Sequence, residues 1–280
     1  MGNSTHIDPP FGHYALPPAR EARRFNAHRM GNDRLGRWVI SLSRKQAIRG
    51  LEEPFDVPVA PGVNARLYPS TNRCEKRALC GVQIWDPIER GALQNAIANA
   101  LEDTFVFLDV GANVGLYSLF ANAYAQASGQ NIRIVAVEPS AEMGARLTVN
   151  AAASNTNVEL VRSAISTEAG EVFLSDGDGN RGEGKIAAQG EAVPAMTLLQ
   201  LCELKKLDHI AALKLDIEGQ DLAVLTQFFE QAPEALHPHM MILELDETSA
   251  GPLIELTQAH NYLITKRTRM NVVVRKRDRT

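Results

Sequence analysis

Cysteine is scarce. Cys74, Cys80 and Cys202 are the only three in 280 residues, and no two stand at a short, ligand-like spacing. That excludes a disulfide framework and a zinc ribbon, and the thiols are expected to stay free in a reducing cytoplasm. No window approaches the ~18 consecutive apolar residues of a membrane span. The N-terminus also lacks the charged-then-apolar pattern of a secretory signal. Met1-Gly2-Asn3-Ser4-Thr5-His6 comes close to a myristoylation site, but His6 stands where Ser or Thr is required. No internal repeat is visible. The apolar fraction of 45% and aromatic fraction of 6% are ordinary for a globular enzyme. The length suits one large α/β domain with an N-terminal extension, or two small domains.

The net charge of −4 is unevenly placed. Residues 1–50 carry nine Lys or Arg against three acids, and residues 266–280 carry seven against one. Basic ends on an acidic body can touch a phosphate-bearing substrate, a membrane surface or nucleic acid. The plainer expectation is that Arg20, Arg23 and Arg24 solvate a flexible arm.

Residues 1–54 read as a basic arm, partly flexible, with one weak helix at 35–48. Residues 55–103 read as a small antiparallel hairpin (55–68) and a helix (85–101) whose apolar stripe is Leu93, Ile97, Ala98 and Leu101. From residue 104 to 280 the pattern becomes regular. Buried strands are expected at 104–110, 132–137, 158–162, 212–216 and 240–245, with a short extra one at 171–174. Helices are expected at 116–127, at 140–150 with Ser140 as cap, from the Thr197 capping box to about 206, at 220–229 and after Pro252. A hairpin of 262–266 with 272–275 closes the chain. Strands alternating with helices mean βαβ units, so the expected fold is a doubly wound, mainly parallel α/β sheet with an antiparallel C-terminal edge. Ligands of such sheets bind beyond the carboxyl ends of the strands, at the topological switch.

Three segments at such ends carry chemistry. In Asp109-Val110-Gly111-Ala112-Asn113-Val114-Gly115, Gly111 permits a tight turn and close approach of a ligand, while Gly115 permits close packing as a helix starts. Such loops also serve dinucleotides, but Asn113 occupies the second glycine position of that fingerprint, where a side chain would crowd a pyrophosphate. The Asp109 carboxylate would repel a pyrophosphate and attract an ammonium. S-adenosylmethionine carries an ammonium and a sulfonium and no phosphate, so the electrostatics favour it over NAD. Glu138, followed by Pro139, can accept hydrogen bonds from ribose hydroxyls; its alternative is a surface carboxylate at a helix N-terminus. In Lys214-Leu215-Asp216-Ile217-Glu218-Gly219, strand alternation puts Lys214 and Asp216 on one face. Asp216 or Glu218 can lie beside the transferred methyl group, or Lys214 can form a structural ion pair with Asp216, Glu218 or Glu244.

In this order and spacing, these segments resemble the FkbM family of S-adenosylmethionine-dependent methyltransferases. The resemblance spans roughly residues 80–275. It takes in Trp85-Asp86-Pro87-Ile88-Glu89, Gly179-Asn180-Arg181-Gly182, Met196-Thr197-Leu198, Tyr262 and Asn271. It implies a Rossmann-like class I fold and O-methylation, often of a hydroxyl on a sugar or secondary metabolite. The corresponding site has Asp109, Gly111, Ala112, Asn113 and Gly115 at the methionine end and Glu138 with Pro139 at the ribose. Ser163 and Ala164 line the adenine, and Asp216 also faces the donor. Asp216 is the first candidate for the base that takes the hydroxyl proton, and Glu218 the second. The expected partner is a small-molecule or glycan acceptor. Two rival readings are a NAD-dependent oxidoreductase on the same topology and an RNA methyltransferase or nucleic-acid-binding protein. An acidic body without clustered aromatics and arginines argues against nucleic acid. Nothing in the sequence bears on oligomeric state. Neither His237-Pro238-His239 nor Asp176-Gly177-Asp178-Gly179 is expected to hold a metal; the first reads as a loop, the second as a turn.

Overall fold

The computed structural model describes residues 9–177, 180–187, 189–217, 219–245 and 249–277, with backbone alone at 176–177 and 180–187. Two helices, α1 (Pro18–Asn26) and α2 (Arg34–Ile48), precede a hairpin of β1 (Phe55–Ala60) and β2 (Val63–Leu67). Helices α3 (Arg73–Leu79) and α4 (Pro87–Ala98) lead into β3 (Phe105–Val110), α5 (Leu116–Ser128), β4 (Ile132–Val137), α6 (Ala141–Ala153) and β5 (Val158–Val161). A small sheet follows: β6 (Ala164–Ile165), β7 (Gly170–Gly177), β8 (Asn180–Ala187) and β9 (Glu191–Met196). The chain closes with α7 (Leu198–Leu204), β10 (Ala212–Leu215), α8 (Asp221–Gln231), β11 (Met240–Glu244), α9 (Ala250–Ala259), β12 (Tyr262–Arg267) and β13 (Asn271–Lys276).

The main sheet runs β12-β13-β11-β10-β3-β4-β5. Its five central strands are parallel, and β13 returns antiparallel to both β11 and β12. This is a Rossmann-like, doubly wound α/β fold with an antiparallel C-terminal edge. The chain moves outward from β3 through β4 to β5, then crosses to β10 and outward through β11. The switch point therefore lies between β3 and β10, and loops leaving those two strands must part there.

Every residue of β3 is buried, and alternation sorts them between two cores. Phe105 and Phe107 pack with Leu116, Leu119 and the hairpin residues Val57 and Val59. Leu108 and Val110 pack with Leu198, Leu201, Val224 and Leu225. The Thr197 capping box is present, and Ser140 accepts the Met143 N–H as the cap of α6. No helix among the described residues is long and apolar enough to cross a membrane.

Several local readings need correction. Helix α3 was not expected: it is short and charged, and its start depends on the Asn72 side chain accepting the Cys74 and Glu75 N–H groups. Strand β8 was not expected either. Helix α4 stops at Ala98, leaving Ala98 on the surface and Leu101 98% exposed, so the buried side is Leu93, Ala96 and Ile97.

The N-terminal segment is docked from residue 9 onward, against the expectation that its arginines solvate an arm. Arg24 is wholly buried, donating to the Leu79 carbonyl at 3.0 Å, the Pro58 carbonyl at 2.8 Å and Glu21. Asp56 pairs with Arg66 at 2.7 Å and accepts the Gly12 and Tyr14 N–H groups, while Arg66 reaches the Pro9 carbonyl. A buried arginine satisfied by backbone carbonyls carries the same letter as a solvated one, so composition cannot separate them.

At the start of α8, Asp221 is 3% exposed and its Oδ1 has no hydrogen-bond partner. Burial, with the Asp216 charge adding to it, pushes its pKa up to about 6. A folded value above the unfolded ~3.9 means the native state binds the extra proton, so this contribution to stability is full below pH ~4. It is lost as pH rises through about 6. Asp221→Asn mimics the neutral form. It should raise the unfolding free energy by about 1–3 kcal/mol at pH 8 and change it little at pH 4. Equal effects at both pH values in denaturant titrations would refute the burial argument.

Candidate active site

A cavity of about 330 Å³ opens at the switch point. Gly111, Ala112, Asn113, Glu138, Pro139, Ser163, Ala164 and Asp216, all expected at the site, line it. Two expected residues do not. Asp109 shares its face of β3 with Phe105 and Phe107, so its side chain lies under α5, wholly buried. There its Oδ2 accepts the Ser118 N–H at 3.0 Å and the Ser118 hydroxyl at 2.6 Å. It organises the start of α5 and does not line the cavity. Gly115 is a packing position: a Cβ there would stand 2.7 Å from Leu147 Cγ. Glu218 lies outside the described residues.

The glycine loop is shaped from three sides. Gly111 has φ of 75°, and a Cβ on it would lie 1.9 Å from the Asp216 carbonyl oxygen, so only glycine fits between the parting strands. Asn113 adopts a left-handed φ of 52°, which its short polar side chain tolerates. Glu138 then clamps the loop. Its Oε2 accepts the Asn113 N–H at 2.7 Å and its Oε1 the Ser140 N–H at 2.9 Å. Burial lifts the Glu138 pKa above its ordinary value, with those two N–H donors working against the shift. From the third side, Asn72 Nδ2 donates to Asn113 Oδ1 at 2.8 Å, tying the unexpected helix α3 to the loop.

Lys214 is the electrostatic centre. Parallel pairing sets it beside Asp109, on the same face of the sheet. Its Nζ donates to the Gly111 carbonyl at 2.9 Å and pairs with Asp216 Oδ2 at 2.9 Å. Burial opposes its charge, but Asp216 and Asp109 together outweigh that and hold its pKa above the ordinary lysine value. For Asp216 burial likewise favours the neutral form, and Lys214 reverses the balance, leaving its pKa below the ordinary carboxylate value. Asp216 also lies within hydrogen-bonding reach of the Glu244 side chain. The structural ion pair is thus the arrangement observed, with about a third of the Asp216 side chain still open to the cavity.

Asp86 is among the cavity residues that the sequence did not mark as site candidates. It precedes α4 with a left-handed φ of 43°, which its short polar side chain tolerates as that of Asn113 does. Although placed as an N-cap, its side chain caps nothing; Oδ2 instead accepts the Tyr117 hydroxyl at 3.1 Å. Burial, then the nearby Glu89 charge, raises its pKa. A short polar residue that forgoes its cap is visible only in three dimensions. Glu89 accepts from Asn271 Nδ2 at 3.0 Å and from the Thr268 hydroxyl, so the segment around Trp85 and the closing hairpin meet at the cavity. Trp85 is 6% exposed and packs edge-on against Tyr117. Tyr262 is buried, donating to the Pro238 carbonyl. His239 pairs with Glu102, while His237 lies among Phe228, Phe229 and His260.

Among the described residues, Asp86, Glu138, Asp216 and Glu244 bring carboxylates to the cavity, against Arg73, Arg77 and Lys214. With Lys214 and Asp216 paired, three carboxylates stand against two arginines, and with Asn113 in a glycine's place the set favours a cationic ligand such as S-adenosylmethionine over a pyrophosphate.

Among solved structures the chain is similar to a precorrin-6y C5,15-methyltransferase from Geobacter metallireducens, at 15% identity and TM-score 0.40, covering 67% of this chain and 87% of that one. It is also similar to a SAM-dependent methyltransferase from Agrobacterium tumefaciens, at 13% identity and TM-score 0.44, covering 81% and 71%. Likeness this remote carries no functional weight. No curated protein matches the chain. The methyltransferase FkbM domain, however, matches residues 109–264, more than half of the chain and every strand of the parallel sheet from the glycine loop onward. The chain therefore belongs to the FkbM family of S-adenosylmethionine-dependent methyltransferases.

Proposed function

We propose that the enzyme methylates a hydroxyl oxygen on a sugar or small secondary metabolite. The observation that carries this reading is the group of acceptors, Asp86, Asp216 and Glu244, bordering the cavity together with Asn271. Carboxylates and amides are the groups that bind several hydroxyls at once. The switch-point topology divides the labour. Glu138, Pro139, Ser163 and Ala164 follow β4 and β5 and would hold the adenosine, with Glu138 on the ribose. Gly111, Ala112 and Asn113 would lie along the methionine chain. Asp216 and Glu244, beyond β10 and β11, would face the acceptor with Asp86.

The donor supplies an activated methyl on its sulfonium, and in-line alignment with the acceptor oxygen provides much of the rate. The hydroxyl must also lose a proton. Asp86 is the better base: burial raises its affinity for a proton, whereas Lys214 lowers that of Asp216. Asp216 instead fixes Lys214, which holds the Gly111 carbonyl.

Calorimetry with S-adenosylmethionine and with NAD is the first test, and tight NAD binding without response to the methyl donor would sink the reading. Methyl-labelled donor offered with a panel of monosaccharides, glycosides and phenols should then yield an alkali-stable methyl ether. Label appearing on nitrogen, or on RNA alone, would reject a hydroxyl acceptor. Glu138→Gln must turn an NH₂ toward a backbone N–H, because both Glu138 oxygens accept one. With a charge-assisted ribose bond worth about 1.5–3 kcal/mol, donor affinity should fall ~10–150-fold, with turnover at saturating donor less affected. Unchanged affinity in calorimetry would remove Glu138 from the ribose.

A further inference from the structure

We propose that α2 docks the protein on an anionic membrane surface. Steps of 100° per residue place the buried Gly36, Ile40 and Ala47 on one side of this helix. The opposite side presents Leu35, Trp38 and Leu42, which are 69%, 62% and 38% exposed. An apolar stripe on the solvent side of a docked helix has no partner among the described residues. Phe25 of α1, 58% exposed, adds to the apolar surface that these N-terminal helices show.

Charge identifies the occupant. Helix α2 contains no acidic residue, and its exposed Arg34, Arg37 and Lys45 accompany the stripe. Asp33, just before it, is engaged as the cap, accepting the Gly36 N–H. Exposed Arg23, Arg29 and Arg49 lie in the flanking chain. Leucines and a tryptophan seated at the headgroup boundary, with arginines and lysines reaching phosphates, form an interfacial helix. A second copy of this chain fits less well. A symmetric contact would bring these cations together with no acid on the helix, and three side chains fall well short of the ~800 Å² that each partner of a stable dimer commits. Single-stranded RNA would want stacking surfaces, and Leu35 and Leu42 provide none.

The test uses the full chain with vesicles of phosphatidylcholine alone, or of equal parts phosphatidylcholine and phosphatidylglycerol. Co-sedimentation should be at least ~10-fold stronger with the anionic vesicles and should weaken in roughly 0.5 M salt. Of the two tryptophans, Trp85 is buried, so a blue shift of emission on binding reports Trp38 entering the interface. Leu35→Ser with Trp38→Ser and Leu42→Ser should abolish binding, and Arg34→Gln with Lys45→Gln should weaken it ~10-fold, both with unchanged melting and donor affinity. Equal binding to both vesicles, no emission shift, or full binding by the triple variant would each overturn the proposal. So would a dimer in sedimentation that the triple variant dissolves while anionic vesicles stay unbound. Stronger Trp38 quenching by oligouridylate than by vesicles would hand the helix to RNA.

Discussion

Replacing Lys214 by methionine should lower the unfolding free energy by about 3–5 kcal/mol, the cost of stranding a buried charge. Asp109 lies beside it in the pairing register, wholly buried, with an Oδ1 that has no hydrogen-bond partner. Even with Lys214 present, burial keeps the Asp109 pKa above its ordinary value. Without Lys214, Asp109 must either remain charged in an apolar setting or take up a proton. The native state would then bind more protons than the unfolded chain, so the variant should regain stability as pH falls toward ~4. The Gly111 carbonyl would lose its donor as well. Adding Asp109→Asn to Lys214→Met removes the stranded charge and should recover a substantial part of the loss, a coupling that a double-mutant cycle reads directly. A single variant that loses under ~1 kcal/mol, with a double variant no better, would end the account of Lys214 as the electrostatic centre.

Asp86→Asn should cut turnover on a hydroxyl acceptor by ~10²–10⁴-fold, the range expected when a positioned base is lost. Donor affinity should hold, since the glycine loop and Glu138 are untouched. The amide retains an oxygen that can accept from Tyr117, so melting should shift little. A raised Asp86 pKa moves the acid limb of kcat/KM to higher pH than an ordinary aspartate would give, and activity grows as the group deprotonates. In the variant that limb should vanish. Asp216→Asn is the discriminating control, because it loosens Lys214 yet leaves the base in place; its loss should appear chiefly as lower stability. If Asp216→Asn removes the acid limb and Asp86→Asn does not, the base is Asp216 after all.

The central sheet was legible because its inner strands are largely buried and written as mostly apolar runs. The run at 132–137 reappears with the same bounds as β4, Ile132–Val137. Gly111 and Glu138 were legible as well, since each lies just past a strand end, where such folds open. Asn72 was not. It signals only as the cap of a short charged helix, and it matters because α3 brings it within 2.8 Å of Asn113.

The sequence by itself determined the order of the parallel strands and of the helices between them, the glycine turn, and the acid that follows β4, because periodicity and local sterics act over a few residues. Tertiary structure alone decided what each charge faces. Arg24 looks like a solvated residue and is buried against the Leu79 and Pro58 carbonyls. Asp109 looks like a ligand contact and is turned beneath α5, whereas Asp86, not read as a site residue, opens onto the cavity. A carboxylate or guanidinium carries the same formal charge wherever it stands. Its role follows from desolvation and the partners around it, and those partners come from distant parts of the chain.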